Sequence, residues 1–388
     1  MSDLLVTTNT PALGTGQAVR TYGIARALAT NGPTTLLYAR FGADGPDAAF
    51  SSIAGLDLVE VVPSRGARRA MAYARARGAG VPDGFARGIS PDLAQAAARL
   101  AGAPGGGRGG AAASGRVVAD GPVAAAALWP LARRRGVIYN AHNIESSFRR
   151  ERGAGGDGRR RGWEMRRFER RLLERAGESW MVSEAQVAQA RAIAPAAALR
   201  YVPNVVDVAE IRPVRPSGDP VALFVASFAY WPNRNALAFM RDEVMPLVWA
   251  QLPDARLRLV GAGLRDTDTG PDRRIEAAGF VADLGEAYAG AACAVVPLLQ
   301  SGGTPLKFVE ALAYGVPVVA TPLASAGLDV RDGESCVLAE GGGAFAAALV
   351  RLLRDGAPAI GEAGRRLAEE RYSIEALARL LAPAAGQA

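Results

Sequence analysis

The sequence predicts an α/β protein made of two parallel-sheet domains, and three observations predict it. Short apolar runs alternate with amphipathic helical stretches. The alternation breaks once, at a proline-rich segment, and then resumes. At 388 residues the chain is also longer than one hydrophobic core usually supports. Hydrophobic residues at 49% and charged residues at 21% supply two large cores and exclude a disordered chain.

In the first domain LLVTT reads as a strand, GQAVRTYGIARALATNG as a helix closed by glycine, and TTLLYA and LDLVEVV as further strands. The rhythm resumes with RVVAD, GVIYNAH, SWMVSEA and LRYVPN. After IRPVRPSGDP a second series opens with VALFVAS, ARLRLVGAG, AACAVVPLL and VPVVAT. The expected organisation is a first domain over 1–207, a linker over 208–220 and a second domain from 221. The Gly/Ala segment AGAPGGGRGGAAASG lies between a helix and a strand and reads as a flexible surface loop, not as a phosphate cradle.

The net charge of +7 and pI near 9.8 do not by themselves point to nucleic acid. Between Arg149 and Arg175 eleven arginines stand against four glutamates and one aspartate, so most of the excess is one segment. It lacks the interleaved aromatics of a single-strand platform and the spacings of zinc-finger or RNA-binding motifs, and no nucleic-acid partner is expected. Met165, Phe168, Leu172 and Ala176 form a narrow apolar stripe on this helix, with two readings. It could rest on an anionic membrane through the arginines near 159–175, or pack on its own domain and leave the arginines solvated.

No apolar run reaches the roughly 18 to 20 residues of a membrane span, and the N-terminal MSDLLVTTNTP lacks signal-peptide features. A cytoplasmic protein, or one peripheral to a membrane, is expected. Cys293 and Cys336 are far apart and outside any metal-ligand spacing, so both read as buried structural thiols. No carboxylate pair or Asp-x-Asp stands at a strand end of the second domain, and no metal is expected.

Two glycine-rich turns follow a strand and open a helix: PALGTGQAVR, with Gly14, Thr15 and Gly16, and SGGTPLK, with Gly302, Gly303 and Thr304. Glycine lets backbone approach a ligand closely, and the N–H groups and dipole of a helix start favour an anion. The second turn carries Lys307, the chain's one lysine among basic residues that a high-GC coding bias has otherwise made arginine. A cation in the first helical turn opposes the macrodipole, and Glu310 follows at i+3 in the less favourable charge order. A bound diphosphate reverses that penalty, because ammonium and helix N-terminus then hold the same anion. The alternative is an ordinary helix pair between Lys307 and Glu310.

The stretch GGTPLKFVEALAYGVPVVAT resembles the donor-binding segment of the retaining GT-B glycosyltransferases of family 4. PALGTGQAVRTYGIARALA, NAHNIES, VSEA with VPNVVD, FVASFAYWPNRNAL, RLVGAG and GFVADLGEAYAGAACAVVPL resemble that family's other segments in the same order, and RYSIEALARLL resembles its terminal helix. The resemblance implies two Rossmann-like doubly wound domains facing across a cleft, with 221–365 binding the nucleotide-sugar donor and 366–388 crossing back onto the first, acceptor-side domain. It further implies that Lys307 holds the donor diphosphate and that Glu310 bonds the ribose hydroxyls. The backbone from Phe280 through Val281 to Asp283 would border the base, and Gly302, Gly303 and Thr304 would shape the phosphate pocket. Gly14, Thr15, Gly16 and His142 would face the donor sugar.

The implied reaction is transfer of a sugar from a nucleotide diphosphate sugar to a hydroxyl of a small metabolite, a saccharide or a lipid-linked acceptor, with anomeric configuration kept and no resident cofactor. Two positions depart from the family pattern. Gly302 stands where many relatives carry a glutamate, and Pro305 where some carry an arginine, leaving Arg234 as the candidate second phosphate-binding cation. His142, the one histidine, follows an apolar run where a strand should end, the edge at which open α/β sheets place ligands; its other reading is a buried imidazole bonded to backbone. Rival classes are a sugar-nucleotide epimerase of the same fold, a pyridoxal enzyme using the lone lysine, and a non-catalytic sugar-nucleotide binding protein.

Overall fold

A computed structural model describes residues 2–102, 115–146, 156–265, 267–300 and 304–383, apart from the side chains of 156–161. Residues 103–114 of the Gly/Ala segment lie outside the described residues. The chain divides into two compact units, Met1–Asn204 with Leu377–Ala388, and Val205–Ala376. The division thus falls at Asn204/Val205 where 207/208 was expected, and the 208–220 stretch belongs to the second unit. The return to the first unit starts at Leu377 where 366 was expected.

The first unit holds a seven-stranded parallel sheet of β1 (Asp3–Thr7), β2 (Thr34–Ala39), β3 (Leu56–Val61), β4 (Val117–Asp120), β5 (Ile138–Asn140), β6 (Glu178–Met181) and β7 (Leu199–Tyr201). Its order is β3-β2-β1-β4-β5-β6-β7. The second unit holds β8 (Val221–Val225), β9 (Arg256–Val260), β10 (Ile275–Gly279), β11 (Cys293–Val296), β12 (Val318–Ala320) and β13 (Val337–Leu338), in the order β10-β9-β8-β11-β12-β13. Every pairing is parallel, with Leu5 opposite Val118 and Ala222 opposite Cys293 where each sheet reverses its winding. Both orders are doubly wound.

Central strands of a parallel sheet are covered on both faces and therefore read as continuous apolar runs. Leu4, Leu5 and Val6 of β1, Leu223 and Phe224 of β8, and Val318 to Ala320 of β12 are all buried. Cys293 on β11 and Cys336 beside β13 are free, buried thiols that burial pushes up to about 12. The four edge strands carry no such run: no residue of β3 or β7 is buried, β10 reads IEAAG and β13 only VL.

The arginine-rich helix spans Gly156–Arg175. Met165, Phe168, Leu172 and Leu173 are buried in the core of the first unit, and Phe168 stacks on Phe85 with ring centroids 5.5 Å apart. The apolar stripe is therefore used up inside its own unit, which corrects the reading that lays it on a membrane. Arg175 stands over the Trp129 ring at 4.3 Å, and Arg171 donates to Ala79 O at 2.6 Å. Among the described residues no helix is long and apolar enough to cross a membrane.

The helix Ile374–Leu381 ends on the first unit with its carbonyls taken by side chains. Asn31 Nδ2 donates to Ala378 O at 2.8 Å, Arg116 Nη1 to Leu381 O at 2.5 Å, and Arg200 Nη2 to Leu380 O. These are the groups a helix C-terminus leaves without intrahelical partners, and cations there also favour the dipole. Arg116 is itself fixed by Asp3, whose Oδ2 accepts from Nε at 3.0 Å and Nη2 at 2.6 Å.

In the second unit the helix Pro358–Arg371 lies close along the helix Leu306–Tyr314. Glycine permits the approach: a Cβ at Gly361 would stand 2.2 Å from Gly315 O, and one at Gly364 2.8 Å from Leu312 Cδ2. Gly361→Ala is expected to destabilise the second unit by about 1 to 3 kcal/mol, the usual range for overpacking. Gly343→Ala, in a helix with open space around it, should leave stability unchanged or raise it by roughly 0.5 to 1 kcal/mol. Urea unfolding of both variants checks the pair, and equal midpoints would show that the close approach is not a constraint.

Candidate active site

Lys307 lies in the first turn of the helix Leu306–Tyr314, on the connection that leaves the C-terminal end of β11. Pro305 is its N-cap and has no side-chain acceptor, while Gly315 closes its far end in the left-handed conformation at φ 74°. The Lys307 ammonium donates to Asn233 Oδ1 at 2.6 Å and stands 5.1 Å from the Phe224 ring centroid. Burial pulls it down to about 7, against the pull of Glu310 in the other direction. Asn233 belongs to the helix Trp231–Phe239, which follows β8. The two helices therefore open from the two strands at which this sheet reverses, the place where such sheets bind ligands.

Glu310 bonds Tyr288, so the helix pair with Lys307 is not the bond either side chain makes. Burial pushes Glu310 up to about 7, with Tyr288 and Lys307 opposing. Tyr288 is buried and stacks on Tyr314 with centroids 4.3 Å apart. Asp283 caps the helix Leu284–Ala289, its Oδ1 accepting from Gly285 N at 2.7 Å. Just before it, Phe280 is 81% exposed, the most exposed large apolar side chain among the described residues, while Val281 packs partly on the core. Thr304 is buried. Gly302 and Gly303 lie outside the described residues. Arg234 donates to Ala229 O at 3.2 Å at the head of its helix, and its charge adds a little to the hydrogen bonds from Arg265 that hold Asp268 below the usual carboxylate range.

His142 stands just past the C-terminal end of β5 and is buried. Its Nε2 lies 2.8 Å from Asp120 Oδ1, and Asp120 also accepts from Asn140 Nδ2 at 2.8 Å and Thr21 Oγ1 at 2.7 Å. Burial alone would raise the Asp120 carboxyl, but His142, Thr21 and Asn140 together hold it below its ordinary value. An ionised Asp120 makes Nε2 the protonated nitrogen and fixes the plane of the ring. The next residue, Gly121, has φ 82°, and a Cβ there would stand 3.3 Å from His142 Cε1, so glycine serves both backbone and ring.

Behind this pair Arg20 is buried, with Nη2 donating to Asn140 Oδ1 at 2.6 Å and Nη1 to Val202 O at 3.0 Å and Asn204 Oδ1 at 3.0 Å. Burial lowers the guanidinium to about 10, against Asp120 and Tyr201, so it stays charged near neutral pH. Glu169 is buried too, and its carboxylate accepts from Glu145 N at 2.7 Å and from Ser146 N at 3.3 Å, fixing the segment that follows His142. Burial carries Glu169 to about 7 against those bonds. Thr15 caps the helix Gly16–Asn31 by accepting from Ala18 N at 3.2 Å, and Gly14 and Gly16 are exposed beside it.

Lys307, Glu310 and Thr304 thus come from one short segment of the second unit, with Asn233 and Tyr288 completing the group. His142 is assembled with Asp120, Asn140, Thr21 and Arg20 in the first. Sequence reasoning missed Asn233, Tyr288, Asp120 and Arg20. Asn233 is the immediate neighbour of the chosen Arg234, and only the phase of the first helical turn separates them. Asp120 ends an apolar strand as His142 follows one, and that repeat was the available signal. Among the described residues no group of three or more His, Cys, Asp or Glu side chains is placed to hold a metal ion.

Residues 219–355 match the family model for glycosyl transferases group 1. No curated protein matches the chain. Among solved structures the chain is similar to HepE from Anabaena in complex with UDP and glucose, at 15% identity and TM-score 0.67 over 98% of each chain. It is similar to sucrose-phosphate synthase from Thermosynechococcus elongatus at 18% identity and TM-score 0.68, over 98% of this chain and 97% of that one. A glycosyltransferase from Rickettsia africae aligns at 13% identity and TM-score 0.60, over 98% and 96%. At these identities the likeness is one of fold: two parallel-sheet α/β domains of the GT-B type.

Proposed function

We propose that the protein is a glycosyltransferase that moves a sugar from a nucleoside diphosphate sugar to a hydroxyl-bearing acceptor and keeps the anomeric configuration. The observation that carries this reading is Lys307: one lysine, at an uncapped helix start beside the reversal point of its sheet, inside the segment that matches the group 1 family. A leaving diphosphate needs preorganised positive charge and dipoles, and the ammonium and helix N-terminus supply both.

In this reading Lys307 holds the diphosphate and Glu310 the ribose hydroxyls, with Phe280, Val281 and Asp283 bordering the base. Gly302, Gly303 and Thr304 shape the phosphate pocket. His142, held by Asp120, and the turn Gly14–Thr15–Gly16 serve the donor sugar. The leaving phosphate takes the acceptor's proton as the new glycosidic bond forms on the face from which it departs. Arg234 stays the candidate for the second phosphate cation. The acceptor is a small metabolite, a saccharide or a lipid-linked sugar. The HepE structures contain UDP and UDP-glucose, which makes UDP the first nucleotide to test. The second reading, an epimerase of the same fold, shares the donor site and differs in forming product from donor alone.

Lys307→Met is expected to weaken nucleoside diphosphate binding by roughly 1.5 to 3 kcal/mol, the range of a charge-assisted hydrogen bond. Stability should change by no more than about 1 kcal/mol, since the loss leaves Asn233 Oδ1 without its donor but ends the desolvation of an ammonium. Lys307→Arg should restore binding only in part, because a planar guanidinium does not fit a pocket shaped for a compact ammonium. Calorimetry with UDP on the three proteins checks this, and unchanged binding by Lys307→Met would remove Lys307 from the site. Transfer, or slow donor hydrolysis, should also survive excess EDTA, with the product anomer read by proton NMR. Activity lost to chelator and restored by a divalent cation would show that the charge on the leaving group is met by metal instead.

A further inference from the structure

Asn233 has both ends of its amide committed. Nδ2 donates to Ser227 O at 2.8 Å, which turns Oδ1 toward Lys307, and the residue is buried behind Pro232 in the first turn of its helix. An amide anchored in this way cannot rotate without breaking a buried bond. We propose that Asn233 is the positioning residue of the phosphate site: its carbonyl oxygen holds the Lys307 ammonium at the point where the β8 and β11 connections part, ready for a nucleoside diphosphate. The proposal rests on the glycosyltransferase reading and adds to it a residue that the reading does not use.

The type of residue matters. The surroundings of Lys307 are apolar on one side, where Phe224 of β8 is fully buried, and burial already brings the ammonium down to about 7. Of the other titratable or charged groups, Glu310 lies on the same helix and is bonded to Tyr288, which comes from the helix Leu284–Ala289. Arg234, next to Asn233, is turned to Ala229 O. A carboxylate at 233 would neutralise the ammonium and repel the incoming phosphates. A leucine would leave the ammonium without its hydrogen-bond acceptor and drive it toward the neutral amine. A neutral acceptor stabilises the charge and leaves it available to the ligand.

The chain's single lysine makes the test direct, because protein grown with ¹³C-labelled lysine gives one Cε signal, that of Lys307. Its pH titration is followed in wild type, Asn233→Leu and Asn233→Ser, and UDP affinity is measured at pH 6 and pH 8. In Asn233→Leu the midpoint should fall by about one pH unit, and UDP binding should weaken about tenfold at pH 8 but much less at pH 6. Asn233→Ser, smaller and still polar, should lie between, and carries the test if the leucine variant does not fold. An unmoved midpoint, or an affinity loss equal at both pH values, would reduce Asn233 to a packing residue and overturn the proposal. Wild-type protein that binds no nucleoside diphosphate at either pH overturns the glycosyltransferase reading and this proposal together. Wild-type protein that binds UDP, beside variants that titrate and bind as it does, overturns this proposal alone.

Discussion

Each sheet is wound outward from its middle, and that constraint places everything else. Between β1 and β4, and again between β8 and β11, successive connections run in opposite directions, so no crossover covers the strand ends there. Polar groups gathered at such a point have to be satisfied by each other or by a ligand. The second unit meets this with Lys307 and Asn233 reaching from the two parting helices. The first meets it with Asp120 at the end of β4 and Thr21 on the helix that follows β1. The same topology has thus been filled with a cation in one unit and an anion in the other.

The two solutions differ in how completely the charge is satisfied. Asp120 is bonded by three side chains and sits below the ordinary carboxylate range. Lys307 and Glu310 are half-buried with fewer partners, and both are drawn to about 7 from opposite sides. Buried charge with little compensation costs stability, and it persists where something else completes it. By this measure the charges of the second unit are less completely satisfied than the Asp120 network of the first.

Much of the fold was legible, and the physical reason is burial. Every strand covered on both faces shows as an apolar run, so β1, β2, β8, β11 and β12 could be read from letters alone. β10 and β13 could not, because IEAAG and VL are too short of apolar residues to give a pattern. Lys307 was legible through its rarity and its wrong place on the helix dipole. Asn233, Tyr288 and Arg20 were not, since each acts through a partner 74, 22 or 120 residues away and no local pattern encodes that distance. The arginine-rich helix was ambiguous for a related cause: an apolar stripe looks the same whether it meets lipid or the core, and only Phe85 and Trp129 against Phe168 decide it.

The first unit is discontinuous in the chain. Its sheet is complete by Tyr201, yet its last piece, from Leu377 within the helix Ile374–Leu381, comes only after the whole of Val205–Ala376. During synthesis the second unit can therefore close on itself while the first still waits for a piece. Until Ile374–Leu381 emerges, Asn31, Arg116 and Arg200 lack the carbonyls they bond in the finished protein. Translation order thus makes the N-terminal half the last to be completed, and exposes it longest to proteases and to association with other nascent chains.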